Sequence, residues 1–101
     1  MATNPPQPRL PVLVNMSTNE RHVLNGPSTT IGREPDNNLV ISDDGYVSAF
    51  HARIYFDQGR WLVEDLNSSN GTSVNDQPVT GSHPLAPQDV LKFGHTLYRI
   101  E

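Results

Sequence analysis

Three polar stretches of this chain carry the residue types that could bind an anion. Arg33 ends a short β-branched run, Ser48 and His51 precede an alternating run, and residues 67–75 (Asn-Ser-Ser-Asn-Gly-Thr-Ser-Val-Asn) lie between two apolar runs. An arginine at a strand end offers a planar, permanently charged two-pronged donor, and serine hydroxyls and loop N–H groups add further donors. We therefore predict that the three stretches form one composite site.

The charge balance limits how such a site could hold its ligand. The formal net charge is −4, and Lys92 is the only lysine among seven basic residues. Binding of a nucleic-acid backbone needs a cluster of cations, so we expect no nucleic-acid partner. Any bound anion must be held by a few aimed groups and not by the field of the whole protein.

The inventory of residues also excludes several kinds of chemistry. The chain has no cysteine, which rules out disulfides, thiolate catalysis and cysteine-ligated zinc. His22, His83 and His95 are scattered without metal-ligand spacing, so we expect no metal and no cofactor. The adjacent acids Asp43 and Asp44 are interpreted as solvated loop residues.

The length of 101 residues fits one domain. Residues 1–11 are rich in proline and polar residues and are predicted to form a flexible leader, followed by a domain over residues 12–101. No signal peptide and no run of 18 apolar residues is present, so we expect a cytoplasmic protein with no membrane partner.

Many turn residues and a two-residue apolar alternation predict an all-β, antiparallel β-sandwich of about ten to eleven short strands. The clearest hairpin joins 51–57 to 60–66 through Gln58-Gly59, with Ala52, Ile54 and Phe56 on one face. Residues 80–88 are predicted to cross the surface without a strand, and Asp76-Gln77 to form a turn. The remaining strands are predicted at 10–16, 21–24, 28–33, 39–41, 72–75, 78–79, 90–93 and 96–100.

The order of these motifs resembles the forkhead-associated (FHA) domain, a β-sandwich module that recognises phosphothreonine. The resemblance covers roughly residues 13–100, and many motifs match in order at similar spacing. They are Gly32-Arg33, Ser48 with His51, Ser69-Asn70-Gly71-Thr72 and Asn75, supported by 38–41, Trp61-x-Val63-x-Asp65-Leu66 and Leu91-x-x-Gly94.

The resemblance implies roles for the matching residues. Arg33, Ser48 and Ser69 occupy positions that contact the phosphate, and Asn70 occupies the position that brackets the main chain of an extended peptide. His51 is implied to tie the site loops together by hydrogen bonds.

Four residues are expected to support the site without touching the ligand. Gly32 and Gly71 are expected to allow positive φ or close backbone approach. Thr72 and Asn75 are expected to hold the shape of the loop.

The leading hypothesis is a non-catalytic module that binds phosphothreonine peptides. It would act downstream of a Ser/Thr protein kinase pathway, recruiting or regulating a partner protein that carries the phosphothreonine.

Two alternatives to a phosphothreonine-binding module stay open, and the first is suggested by position 49. This position is commonly polar or basic in the family but is alanine here. The loss of one hydrogen bond to a charged group weakens binding by about tenfold or more. The acids Glu34, Asp36, Asp43 and Asp44 also stand near the site, predicting modest affinity and a preference against acidic flanks. A phosphate-independent scaffold or self-association module is therefore the second hypothesis.

An enzyme is the third hypothesis, for instance a small esterase using Ser48 and His51. Neither a third triad member nor an oxyanion motif accompanies these two residues.

Overall fold

The structure, a computed structural model, describes residues 10–101, and this part of the chain forms eleven short strands. Residues 1–9 of the predicted leader lie outside the described residues. The strands are β1 Val12–Asn15, β2 Arg21–Val23, β3 Ser28–Gly32, β4 Leu39–Val40, β5 Ala52–Asp57, β6 Arg60–Asp65, β7 Thr72–Val74, β8 Gln77–Pro78, β9 Ser82–Pro84, β10 Val90–Phe93 and β11 Thr96–Ile100. Within residues 10–101, no helix is long and apolar enough to cross a bilayer.

The strands form two sheets that pack as a sandwich, which confirms the predicted fold class. One sheet has the order β2-β1-β11-β10-β7-β8 and the other β4-β3-β5-β6-β9. Among the strands of residues 10–101, all pairs are antiparallel except β3 with β4, which run parallel through Ile31–Leu39 and Gly32–Val40. A purely antiparallel arrangement was therefore wrong at this one edge.

The core fills the space between the sheets with aliphatic side chains and one fully buried phenylalanine, Phe93. Because successive strand residues point to opposite faces, one face of each central strand supplies the core. The fully buried large apolar side chains come from both sheets and from the loops: Leu13, Leu24, Ile31, Val47, Ile54, Val63, Leu91 and Phe93.

The predicted hairpin of β5 and β6 is confirmed, with Ala52 opposite Asp65 and Asp57 opposite Arg60. Gln58 and Gly59 both have positive φ (51° and 82°), as a two-residue turn matching the strand twist requires. Phe56, predicted on the core face, is instead 49% exposed. The hairpin extends beyond the core at this point, and Phe56 packs against Trp61 with ring centroids 5.2 Å apart.

Two local predictions were wrong. The segment predicted as a surface crossing contains β9, which pairs with β6 from Leu62–Pro84 to Glu64–Ser82. Proline is tolerated there because β9 is an edge strand. The turn between β7 and β8 lies at Asn75-Asp76, both with positive φ, and not at Asp76-Gln77.

Candidate functional site

Three loops meet at one end of the sandwich: the β3–β4 loop (33–38), the β4–β5 loop (41–51) and the β6–β7 loop (66–71). Ser48 lies between the other two. The Arg33 N–H donates to the Ser48 carbonyl at 3.0 Å, and the Ser69 N–H donates to Ser48 Oγ at 3.0 Å. The structure thus brings Arg33, Ser48 and Ser69 together from three separate parts of the sequence.

The contact between the first two loops depends on Gly32. A Cβ at this position would lie 2.2 Å from the Ala49 carbonyl oxygen and 2.7 Å from Asn37 Nδ2, so only glycine fits without a backbone shift. The buried Asn37 side chain donates from Nδ2 to the carbonyls of Ala49 (2.7 Å) and Glu34 (2.9 Å). Asn37 was not among the predicted site residues, yet it links two of the loops.

His51 is completely buried between the second and third loops. The Ser48 N–H donates to His51 Nδ1 at 3.0 Å, and Nε2 lies 2.8 Å from the Gly71 carbonyl oxygen. A main-chain N–H can only donate, so Nδ1 is the acceptor and the neutral ring carries its proton on Nε2, which donates to Gly71. Both ring nitrogens are therefore used in holding the loops.

The same geometry removes the Ser-His pair that an esterase would need. His51 Nδ1 contacts the main chain of Ser48 and not its hydroxyl, whereas Ser48 Oγ accepts a hydrogen bond from Ser69. A histidine that is occupied at both nitrogens has no position from which to take the Ser48 proton.

The β6–β7 loop is built on the carboxylate of Asp65, at the end of β6. Its oxygens accept hydrogen bonds from the Ser68 N–H (2.9 Å), Ser68 Oγ (2.5 Å) and Thr72 Oγ1 (2.7 Å). Burial raises the pKa of Asp65, but the bonds from Ser68 and Thr72 outweigh it and hold the pKa below its ordinary value. Asp65 therefore stabilises the loop as a charged carboxylate.

Gly71 closes this loop with φ of +82°, a conformation that residues with a Cβ rarely adopt. Its N–H donates to Ser68 Oγ at 2.8 Å, and its carbonyl accepts from His51. The Ser68 hydroxyl therefore makes two internal hydrogen bonds, whereas its neighbour Ser69 is exposed.

The exposed surface of the three loops carries the groups that remain available. Within residues 10–101 the Arg33 guanidinium makes no ion pair or hydrogen bond, and the Ser69 hydroxyl likewise has no partner. Ser48 Oγ accepts one bond and keeps its own proton to donate. These available donors belong to three residues whose main chains or hydroxyl are linked at Ser48.

Asn70 is exposed beside this set. Its Nδ2 donates to the Tyr46 carbonyl at 2.9 Å, which ties the third loop to the second. One amide proton and the carbonyl oxygen of the side chain are left for another molecule.

Thr72 and Asn75 occupy different places. Thr72 is buried and bonded to Asp65 at the loop, whereas Asn75 lies at the far end of β7. There Asn75 Nδ2 donates to Asp89 Oδ1 (2.9 Å), and its Oδ1 accepts from the Val90 N–H (3.0 Å). Asn75 fastens the β7–β8 turn to β10 and is not brought to the site.

Asp44 is partly exposed, as expected for a solvated loop acid, but it also has defined hydrogen-bond partners. Its carboxylate accepts from the N–H groups of Tyr46 (2.9 Å) and His95 (2.8 Å) and from Thr96 Oγ1 (2.7 Å). Desolvation raises the pKa of Asp44, but these bonds lower it below the ordinary value. Asp44 thus joins the β4–β5 loop to the β10–β11 turn.

A local signal for the roles of Asp65 and Asp44 exists in the sequence. Asp65 with Ser68, and Asp44 with Tyr46, have the short spacings at which a carboxylate accepts from nearby main-chain N–H groups. Their distant partners, Thr72 and His95, could be identified only from the fold.

Among residues 10–101, no group of three or more histidine, aspartate or glutamate side chains is arranged to hold a metal.

The three loops lie within a stretch of the chain that matches a known protein family. Residues 29–94 match the model of the FHA domain. The chain is 40% identical over 74 residues to the glycogen accumulation regulator GarA of Mycolicibacterium smegmatis, covering 73% of this chain and 46% of GarA. It is 43% identical over 83 residues to the FHA domain-containing protein FhaB of Mycobacterium tuberculosis, covering 82% of this chain and 53% of FhaB.

A solved structure agrees over almost all of the chain. Mycobacterium tuberculosis EmbR in complex with a low-affinity phosphopeptide superposes with a TM-score of 0.89 at 26% identity, covering 94% of this chain and 25% of EmbR. The chain spans about half the length of the curated relatives it matches.

Proposed function

This chain belongs to the FHA family of phosphothreonine-binding β-sandwich domains, and we propose that its own three loops bind a phosphothreonine peptide through Arg33, Ser48, Ser69 and Asn70. One observation carries the proposal. The main-chain N–H groups of Arg33 and Ser69 both donate to Ser48, so residues from three distant segments are in contact, and the side chains of Arg33 and Ser69 are exposed.

The chemistry of these donors fits a phosphate monoester. The Arg33 guanidinium supplies a charged fork for two phosphate oxygens, and the Ser48 and Ser69 hydroxyls supply single donors. Hydrogen bonds to a charged group each contribute about 1.5–3 kcal/mol, so a few aimed donors suffice in a chain of net charge −4.

Asn70 has a different part in the proposal. With one amide proton bonded to Tyr46, the side chain is fixed in orientation and still presents a donor and an acceptor. An extended peptide exposes both groups along its main chain, so Asn70 would hold the peptide beside the phosphothreonine.

The domain is non-catalytic, and its proposed biological role follows from the ligand that it binds. We propose that it acts in the cytoplasm, downstream of a Ser/Thr protein kinase, and recruits or regulates the protein that carries the phosphothreonine. GarA is a regulator, and EmbR has been captured with a phosphopeptide, which supports this role. Which protein carries the phosphothreonine, and which kinase phosphorylates it, are properties of the protein as a whole and not of this domain.

A phosphate-independent scaffold is the second candidate, favoured by Ala49. Its side chain offers no donor at a position next to Ser48, while its carbonyl is taken by Asn37 and the Glu34 N–H. A site with fewer donors, close to Glu34 and Asp36, binds a dianion less tightly.

Titration by fluorescence anisotropy separates the two candidates. Phosphothreonine peptide pools and their phosphoserine and unphosphorylated twins are titrated with the parent domain, Arg33→Ala and Arg60→Ala. Arg60 is the matched control, because it starts β6, about 17 Å of strand away from the loop that follows Asp65. We expect Arg33→Ala to weaken binding of the phosphothreonine pool at least about tenfold and Arg60→Ala to leave it unchanged. Binding indifferent to phosphate and to Arg33 would establish the scaffold instead.

A further inference from the structure

A cleft of about 360 Å³ adjoins the proposed peptide site. It starts at Asn70 and continues over the outer face of β7 and β10, where Ser73 and Lys92 stand opposite each other. Tyr46 and His95 form one side and Pro78 contributes to the lining. Asn70 therefore belongs both to the proposed peptide site and to the cleft.

The wall made by Tyr46 and His95 is fixed in place. The two rings stack with centroids 3.9 Å apart and an angle of 20° between their planes. Asp44 accepts hydrogen bonds from the N–H groups of both residues, and Asn70 bonds the Tyr46 carbonyl. A preformed wall can select a side chain without the loss of loop entropy that binding to a mobile loop requires.

The charge inside the cleft is opposite to that of the chain. Lys92 is the only lysine of the protein, it is exposed, and no ion pair involves it within residues 10–101. Among the residues from Leu10 onward, no carboxylate lines the cleft. Asp43 and Asp44 line a separate depression that shares Tyr46 and His95 with the cleft, and Asp76 lines another that shares Ser73 and Lys92 with it.

We propose that this cleft binds an acidic side chain of the same phosphopeptide, with Lys92 as the residue that determines the preference. The inference rests on the proposed phosphopeptide function and adds a specificity to it. A carboxylate entering the cleft would pair with the Lys92 ammonium and reach the Ser73 hydroxyl, while Tyr46 and Pro78 shield the pair from part of the solvent.

The surroundings of the phosphate then have two sides of opposite charge preference. Glu34 and Asp36, in the β3–β4 loop, disfavour acidic residues near Arg33, whereas Lys92 favours them beyond Asn70. The acidic loops alone would make the domain disfavour acidic residues on both sides of the phosphothreonine. With Lys92, we expect the domain to disfavour them on one side and to favour them on the other.

The test is an aspartate scan of a phosphothreonine peptide. Each flanking position is changed in turn to aspartate or asparagine, and Kd is measured with the parent domain, Lys92→Met and the matched control Arg60→Met. We expect aspartate at one position on one side to tighten binding by about two- to fivefold over asparagine, the effect of a largely exposed ion pair. Lys92→Met should abolish this gain and Arg60→Met should retain it.

Salt concentration gives a second readout, because the gain should shrink at high salt as screening weakens the pair. A scan in which no position gains affinity through Lys92 would overturn the proposal, even if phosphothreonine binding persists. Loss of phosphate dependence for every peptide would instead reject the proposed function, so the two failures are distinguishable.

Discussion

The β6–β7 loop and the β3–β4 loop form two sides of the candidate site and are held in different ways. The β6–β7 loop is held by three side chains that each make at least two internal hydrogen bonds: Asp65 at the end of β6, Ser68 in the loop and His51 from the β4–β5 loop. The β3–β4 loop is fixed through main-chain bonds and Asn37, and leaves the Arg33 side chain exposed. Substitutions of the internally bonded side chains should therefore change the stability of the fold, and substitutions of the exposed side chains should change binding of the peptide.

The largest effect on stability is expected at His51. His51→Ala removes a fully buried ring and leaves the Ser48 N–H and the Gly71 carbonyl without partners, which should lower the free energy of unfolding by about 4 kcal/mol. Urea denaturation measures it. His22→Ala, on edge strand β2, is the control and should change stability by at most about 0.5 kcal/mol. A loss below about 1 kcal/mol for His51→Ala would contradict its linking role.

A slightly smaller loss is expected at Gly32. The added methyl of Gly32→Ala meets the Ala49 carbonyl at 2.2 Å and should destabilise the fold by about 3 kcal/mol. Gly45→Ala is the matched control, since a Cβ there has no neighbour within 4 Å in the described part of the chain. Equal melting temperatures for the two variants would show that the first two loops do not depend on close approach.

The third prediction concerns Asp65 and acid pH. Its pKa is lowered in the folded state from the ordinary value of 3.8, so its contribution is present above that value and is lost as pH falls through the folded pKa. We expect Asp65→Asn to cost about 2 kcal/mol near neutral pH and to flatten the fall of stability below about pH 4. Urea unfolding at a series of pH values tests this, and parallel curves for parent and variant would refute it.

The smallest expected change is a gain of affinity at Ala49. Ala49→Arg places a charged donor beside Ser48 and should tighten phosphothreonine binding by about tenfold, with little change in stability. Ala49→Met adds a comparable chain without the donor and should have no such effect. Calorimetric titration compares them, and an equal gain from both variants would attribute the effect to apolar contact.

The sequence predicted most reliably what depends on neighbouring residues. The β5–β6 hairpin follows from two-residue alternation around Gln58-Gly59, and the sandwich follows from the spacing of such runs. The parallel pairing of β3 with β4 and the strand β9 are set by partners far along the chain, where two or three residues carry no pattern of their own. Phe56 was misplaced because alternation does not tell where the core ends.

The candidate site divides in the same way. Arg33, Ser48, Ser69 and Asn70 could be selected by residue type and by the resemblance, and the structure brings them together. Asn37 and the role of Asp44 could not be, because their significance lies in contacts with Ala49 and with the β10–β11 turn. Asn75 has the right residue type in the right motif, but three residues of strand separate it from the loop.

The most direct test of the central claim is an amide NMR titration of the domain with a phosphothreonine peptide and its unphosphorylated twin. We expect the phosphorylated peptide to shift the amide signals of Arg33, Ser48, Ser69 and Asn70, while those around Gln58 at the opposite end of the hairpin stay in place. Shifts centred instead on the apolar groove lined by Val23, Trp61 and Leu85, or the same shifts with the unphosphorylated peptide, would contradict the account.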